Sequence, residues 1–559
     1  MGWLKSWTFA MATVLLMRTP VNAAEQIIFP LGKVEVSITV DELETYAESG
    51  ELDRTGKLIS YLQWFKPNQR KQIQALLRSQ YTFDPNALEG LLRSPMIDQF
   101  LLRMGLIFET ETGKNGSEAI RTAVVEAASQ GQSFTLIDAL RQFPSPSVRI
   151  NLQQTADLLA EIATLIRQTG AAVAKVEQLA AQEALQQQKN NFNLKQDLRE
   201  SGLFVVNQQT LSFNDMSRRR QFKADLYLPI ATDSVTPEAP QQSIPVIIIS
   251  HGLASDRSRF RALAEHLTSY GFAVVVPQHP GSDFQQLQNL LKGDSDQLFD
   301  QQQLVDRPLD ITYLLDDLEA RNKTEFNNQL NLENVGVWGH SLGGYTALAL
   351  AGATLNFEQL QTDCTENSQL INPSLFLQCR ALDLPDQTYS LQDQRIKSIV
   401  ILNPINSSIF GKTGLNRVKV PVMMIASSHD LLAPALLEQI QSFTWLKNPE
   451  QYLVVKTQDH HFYDISGFDT TEQKLTPLSR LISPESRVTH SYTNALSVAF
   501  FQTYIAQNSD YRSYLQAVYG NHITVNPYTL SILTAQSQPE LKDALRYIFS
   551  QPKLSTTLK

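Results

Sequence analysis

The sequence predicts an α/β fold with a mainly parallel sheet and helices on both faces, preceded by a small, mainly helical domain. Three observations carry this prediction. The second half of the chain holds apolar runs of the kind buried on both faces of a parallel sheet, at 245–250, 271–277, 335–338, 396–402, 420–426 and 452–456. Segments of helical pattern lie between them, at 257–270, 309–321, 341–353 and 434–443, and strand–helix alternation of that length builds a parallel sheet. The third is a tight turn, Gly339-His340-Ser341-Leu342-Gly343-Gly344, set between an apolar strand and an Ala/Leu-rich helix.

At 559 residues the chain exceeds what one core usually holds. The expected division is a signal at 1–24, a helical domain at 25–150 and a long helix with linker at 151–200. An α/β domain follows at 201–520, with an insertion at about 354–394, and then a C-terminal extension at 521–559. The formal net charge of −9 speaks against nucleic acid as a partner and offers no basic face to anionic lipid. Lys5, the apolar stretch 7–17 and the small residues Val21 and Ala23 read as a secretory signal cleaved after Ala23. The other reading of that stretch is an uncleaved anchor. No later run reaches spanning length, so the mature protein is expected to be exported, periplasmic or secreted, with no stable membrane span.

After the signal, 27–40 alternates like a strand. Helical runs are then predicted at 54–64, 68–78, 85–91, 94–104, 117–129 and 134–141, most starting after Pro, Asp, Asn or Ser. One long helical pattern runs over 151–190, broken by Gly170 and with an apolar seam that fades after Leu179. An exposed arm and a helix strapped across the next domain fit it equally. Two strands follow at 204–213 and 221–228, joined by Ser217-Arg218-Arg219-Arg220, a basic run read as a solvated hairpin tip.

The chemistry gathers around Ser341. Three fixed positions at about 7% usage match by chance roughly 0.2 times in a chain of this size, so the context of the motif matters more than the motif. Its strand–turn–helix setting is that of a nucleophile elbow, in which glycines two residues to either side admit a turn too tight for side chains. The helix that follows aims unpaired N–H groups at a developing oxyanion. Leu342 would supply one such N–H. Leu253, in His251-Gly252-Leu253 after the first apolar strand, would supply the other. Serine needs a neutral imidazole to take its proton, and the imidazole needs a carboxylate to hold its tautomer.

Asp430 is the acid candidate, in the loop after a buried strand with Pro434 opening the next helix. The base candidate is His461 rather than His460, because neighbouring side chains face opposite ways and His461 is followed by Phe462. Asp459 and Asp464 are then read as solvated bystanders. A metal shared by His429, His460 and His461 is disfavoured, since no recognised ligand spacing accompanies them. Neither metal nor cofactor is expected. In an oxidising compartment Cys364 and Cys379, both in the insertion, should be bridged, and closing that loop adds roughly 3 kcal/mol.

The residues from 245 to 462 resemble the α/β-hydrolases similar to plasma-type platelet-activating-factor acetylhydrolase. The resemblance rests on Ser-His-Gly-Leu (250–253), His-Pro-Gly-Ser-Asp (279–283), Asp-Arg-Pro-Leu-Asp (306–310), the serine turn and His461-Phe462. The segments 41–52 and 140–144 are similar to a helical domain of unknown function in cyanobacterial hydrolases. The resemblance implies an α/β-hydrolase fold and hydrolysis of short or oxidised acyl esters, including sn-2 acyl groups of phospholipids. It departs from the family at His460, where a small residue is usual. A polyesterase or general carboxylesterase stays open within the enzyme class. Outside it stands an inert scaffold that binds through its helical N-terminal domain.

Overall fold

The computed structural model describes residues 23–31, 34–51, 56–63, 65–188, 196–231, 243–364, 371–459 and 487–553. Residues 1–22 of the signal expected at 1–24, together with His460, His461 and Asp464, lie outside the described residues.

Ala24 is buried where the N-terminal domain begins, and the Glu25 N–H donates to the Pro146 carbonyl at 3.0 Å. The predicted strand over 27–40 is a hairpin, β1 (Gln26–Leu31) with β2 (Val34–Thr39). It joins β3 (Phe108–Thr110) and β4 (Ser147–Ile150) in a sheet of order β2-β1-β4-β3. The helices fall close to their predicted places, at Leu58–Leu62, Pro67–Arg78, Pro85–Arg93, Pro95–Gly105, Ser117–Ser129 and Leu136–Arg141. Proline opens three of them, where its missing N–H costs nothing.

The long helix runs unbroken over Leu152–Gln187, through Gly170. A lone glycine costs a helix interior about 1 kcal/mol, which packing outweighs. Ala172, Val176, Leu179, Ala180 and Ala184 are buried, so the seam continues past Leu179 in small residues that allow close approach. The helix lies against Ala517–Ile523, Leu530–Thr534 and Gln538–Ser550, and is therefore a strap rather than an arm.

The main sheet has nine strands: β5 (Val205–Asp215), β6 (Arg220–Ile230), β7 (Ile244–Ser250), β8 (Ala273–Pro277), β9 (Leu330–His340), β10 (Ile396–Leu402), β11 (Val422–Ser427), β12 (Gln451–Lys456) and β13 (Leu530–Thr534). Their order is β13-β12-β11-β10-β9-β7-β8-β6-β5. The six strands from β8 to β12 in that order are parallel, and the edges are antiparallel. This is an α/β-hydrolase fold with a small N-terminal domain, mainly helical, in front of it. The C-terminal segment 521–559, expected as an extension, supplies the edge strand β13.

Alternation explains the two cores. Val246 and Ile248 of β7 face one, and Ile247 and Ile249 the other. Each fully buried branched side chain contributes about 1.5–3 kcal/mol, so strands apolar at every position are stable only between two layers. One layer includes the helices Gln303–Thr324 and Leu342–Leu350, the other Arg261–Ser269 and Arg487–Tyr504. Because β7, β9, β10, β11 and β12 are parallel, the loops after them open on one edge of the sheet.

Candidate active site

Ser341 follows β9 at φ 53° and ψ −115°, a left-handed conformation that costs a non-glycine residue of order 1–3 kcal/mol. Its N–H donates to the Leu402 carbonyl at 2.9 Å, and its carbonyl accepts from Gly344 and Tyr345 as the helix starts. The glycines are needed for close approach. A Cβ on Gly339 would overlap the Gly343 carbonyl, and one on Gly343 would overlap that of Ser250. The helix N-terminus therefore sits directly against the end of β7.

Beyond that end runs His251-Gly252-Leu253. A Cβ on Gly252 would lie 3.4 Å from the Ser341 Cβ and 3.1 Å from His340 Nδ1, so this loop abuts the serine. Leu253 packs at the edge of the core, and Ala254 N–H donates to the Ser282 carbonyl at 2.9 Å. Among the described residues nothing accepts the Leu253 or Leu342 N–H. The contact at Gly252 thus places the chain just before Leu253 against the Ser341 turn, from which Leu342 follows.

Beneath the loop lies a buried polar cluster built from the stretches 279–283 and 306–310. Arg307, with no exposed surface, donates to the His251 carbonyl, to Ser282 Oγ at 3.2 Å and to Ser250 Oγ at 3.4 Å. The His279 N–H donates to His251 Nε2 at 3.1 Å, and the His279 ring meets Ser250 Oγ at 3.0 Å and Asp310 Oδ2 at 3.5 Å. Burial, reinforced by the Arg307 charge, holds both histidines well below the usual imidazole range. Burial also lowers Arg307 to about 9, against the pull of Asp310 and Asp283.

The basic hairpin tip is solvated only in part: Ser217 and Arg219 are exposed, as expected, but Arg218 and Arg220 turn inward. Arg218 reaches Asp215 at 2.7 Å and Asp310 at 3.0 Å, and Arg220 bonds Asp310 at 2.7 Å and Asp306 at 3.1 Å. The reason is that Asp310 is wholly buried near Arg307 and His279, and a buried carboxylate needs close charged partners, which the two hairpin arginines supply.

Asp430 follows β11 and is buried, its Oδ1 accepting from the N–H groups of Leu432 and Ala433 at 2.8 Å each. Asp459, expected to be solvated, is also buried. Its Oδ2 takes Lys456 Nζ at 2.7 Å and Ser427 Oγ at 2.6 Å, while Oδ1 takes Thr489 Oγ1 at 2.8 Å. Burial alone would raise its pKa, but Lys456 and the two hydroxyls hold it below the ordinary value. The carboxylate is covered because the 487–504 helix crosses over it, which no local pattern announces. Asn403 extends the cluster, exchanging two hydrogen bonds with Ser427 at 2.9 and 3.0 Å.

The insertion is anchored beside this edge. Glu438, buried in a single π-turn over Leu436–Ile440, accepts from Asn372, Ser374 and Gln378 of the insertion. It also accepts from the Asn406 and Ser407 N–H groups in the loop after β10, next to Pro404, which packs on Gly344. Cys364 and Cys379 are bridged, as expected, and close a 15-residue separation. Phe376 meets Phe100 of the N-terminal domain edge to face at 6.0 Å.

Reading the sequence gave no role to Arg307, His279, Asp310, Asn403 or Glu438. The first three lay in stretches that carried the family resemblance, and that was the available signal.

Residues 23–151 match a family described as an alpha/beta hydrolase of unknown function (DUF1400), and residues 245–356 match the alpha/beta hydrolase fold. The first match covers the N-terminal domain, and the second runs from β7 past the serine and its helix. Together they support a hydrolase, and neither carries the narrower likeness to the plasma-type acetylhydrolases. None of the curated proteins matches.

Proposed function

We propose that this chain of alpha/beta hydrolase fold is an exported serine ester hydrolase. Ser341 is its nucleophile, Asp430 its orienting acid and His461 its base. The observation that supports this most is the strained Ser341 turn, abutted by Gly252, with the Leu253 and Leu342 N–H groups left without an acceptor among the described residues. His461 lies outside the described residues; its role rests on its place in the chain after β12, whose end opens on the same edge as Ser341.

In this reading His461 takes the Ser341 proton as Oγ attacks the ester carbonyl. The carbonyl oxygen, now negative, accepts from Leu253 and Leu342, and each such donor accounts for about 10²–10³ in kcat. The C–O bond then breaks, and the alcohol leaves with the proton from His461. Water, activated by the same imidazole, releases the acid. The substrates are short-chain or oxidised acyl esters, with phospholipid sn-2 groups among them, as the family resemblance implies.

The test is labelling with a fluorophosphonate followed by peptide mapping. The label should sit on Ser341 and be absent from Ser341→Ala. Folded wild-type protein that takes no label overturns the proposal.

A further inference from the structure

We infer that Arg307 is a positioning residue that sets the rotation of the two peptide planes in His251-Gly252-Leu253, so that their N–H groups face the substrate. The inference rests on the serine hydrolase reading of the site. In a trans peptide the carbonyl and the N–H of one unit point in opposite directions, so fixing one aims the other. Arg307 takes the His251 carbonyl, which belongs to the same unit as the Gly252 N–H. The His251 ring takes the Gly252 carbonyl at 2.8 Å through Nδ1, the unit that carries the Leu253 N–H.

The tautomer is settled by the neighbour. His279 donates its N–H to His251 Nε2, so the proton of the neutral ring lies on Nδ1 and is the one donated to Gly252. Both carbonyls are thereby held inward, toward a cluster with no exposure, and both N–H groups turn the other way. Arg307 is itself held by Ser282 and Ser250, and its charge is balanced through Asp310, which the hairpin arginines and His279 share. A buried guanidinium is costly unless it is paired and hydrogen-bonded. Its direct contact with this carbonyl gives it a use in aligning the loop.

The experiment compares wild type with Arg307→Gln, Arg307→Lys and Ser282→Ala. The readouts are kcat and KM for p-nitrophenyl acetate, the inhibition constant of an alkyl trifluoromethyl ketone, and circular dichroism. The ketone forms a tetrahedral adduct whose oxygen occupies the oxyanion position, so its affinity reports the loop directly. Arg307→Gln should lower kcat about 100-fold and weaken the ketone by a similar factor, with KM within about threefold. Arg307→Lys, which can still donate to one carbonyl, should recover to within about tenfold of wild type. Ser282→Ala should lower kcat and ketone affinity together by about threefold or more, and it decides the matter if the Arg307 variants do not fold.

Folded variants with unchanged kcat and ketone affinity, or with a rise in KM alone, overturn the positioning role. Wild-type protein that neither hydrolyses esters nor takes a fluorophosphonate overturns the hydrolase reading, and this inference falls with it.

Discussion

Gly343 meets the main-chain oxygen of Ser250 so closely that a Cβ would overlap it, and this contact seats the helix after Ser341 against the end of β7. Gly343→Ala should therefore force the two backbones apart. A destabilisation of about 2–3 kcal/mol is expected, with loss of fluorophosphonate labelling although Ser341 is unchanged. Gly170→Ala is the contrasting case, since a Cβ there meets nothing within 4 Å and helix propensity alone acts. It should stabilise by about 0.5–1 kcal/mol. Urea unfolding of the two variants checks both signs.

Ser341→Ala should lower kcat on the order of 10⁶-fold without lowering the melting temperature, since one hydroxyl contributes little to the fold. His461→Ala should fall to the same level on a soluble ester, whereas His460→Ala should keep most of its kcat. The reversed pattern would shift the base by one residue.

The buried carboxylates Asp430 and Asp459 should separate by what they do. Asp430→Asn keeps an oxygen for the Leu432 and Ala433 N–H groups, so the protein should fold while kcat drops about 10³–10⁴-fold. Asp459→Asn leaves Lys456 buried without its counter-charge and should cost about 3–5 kcal/mol. Melting curves beside ester kinetics distinguish an activity defect from a stability defect.

Acid should destabilise the fold through its buried histidines. His251, His266 and His279 are buried with folded pKa values below their unfolded value near 6.5, so below that pH the unfolded chain binds more protons than the folded one. Stability is full above pH 6.5 and is lost as pH falls. The slope approaches about 1.4 kcal/mol per pH unit for each histidine taken up on unfolding. Melting temperatures between pH 7.5 and 5 should decline, and His279→Gln should flatten the decline if it folds. A flat profile in the wild type would mean that the histidines are charged in the native state.

Reducing the Cys364–Cys379 bridge should remove roughly 3 kcal/mol, the loop-closure entropy of a 15-residue separation. Calorimetry with and without a reductant measures it.

The sequence by itself determined the features whose causes are local. Strands buried on both faces must be apolar at every position, so β7 to β12 were legible as uninterrupted runs. A turn that tight must carry glycine, so the Ser341 elbow and its facing His251-Gly252-Leu253 loop were legible as well. Capping residues placed the helices of the N-terminal domain within a few positions. Tertiary structure decided what depends on partners far along the chain. Arg218 and Arg220 look like a solvated tip until Asp310, some 90 residues on, is seen buried against them. Asp459 looks exposed until Thr489 and its helix cover it. The long helix could be an arm or a strap, and only the surface formed by 517–550 makes it a strap. Charge and polarity are written in the residue, but whether a charge is solvated or buried depends on what the rest of the chain packs over it.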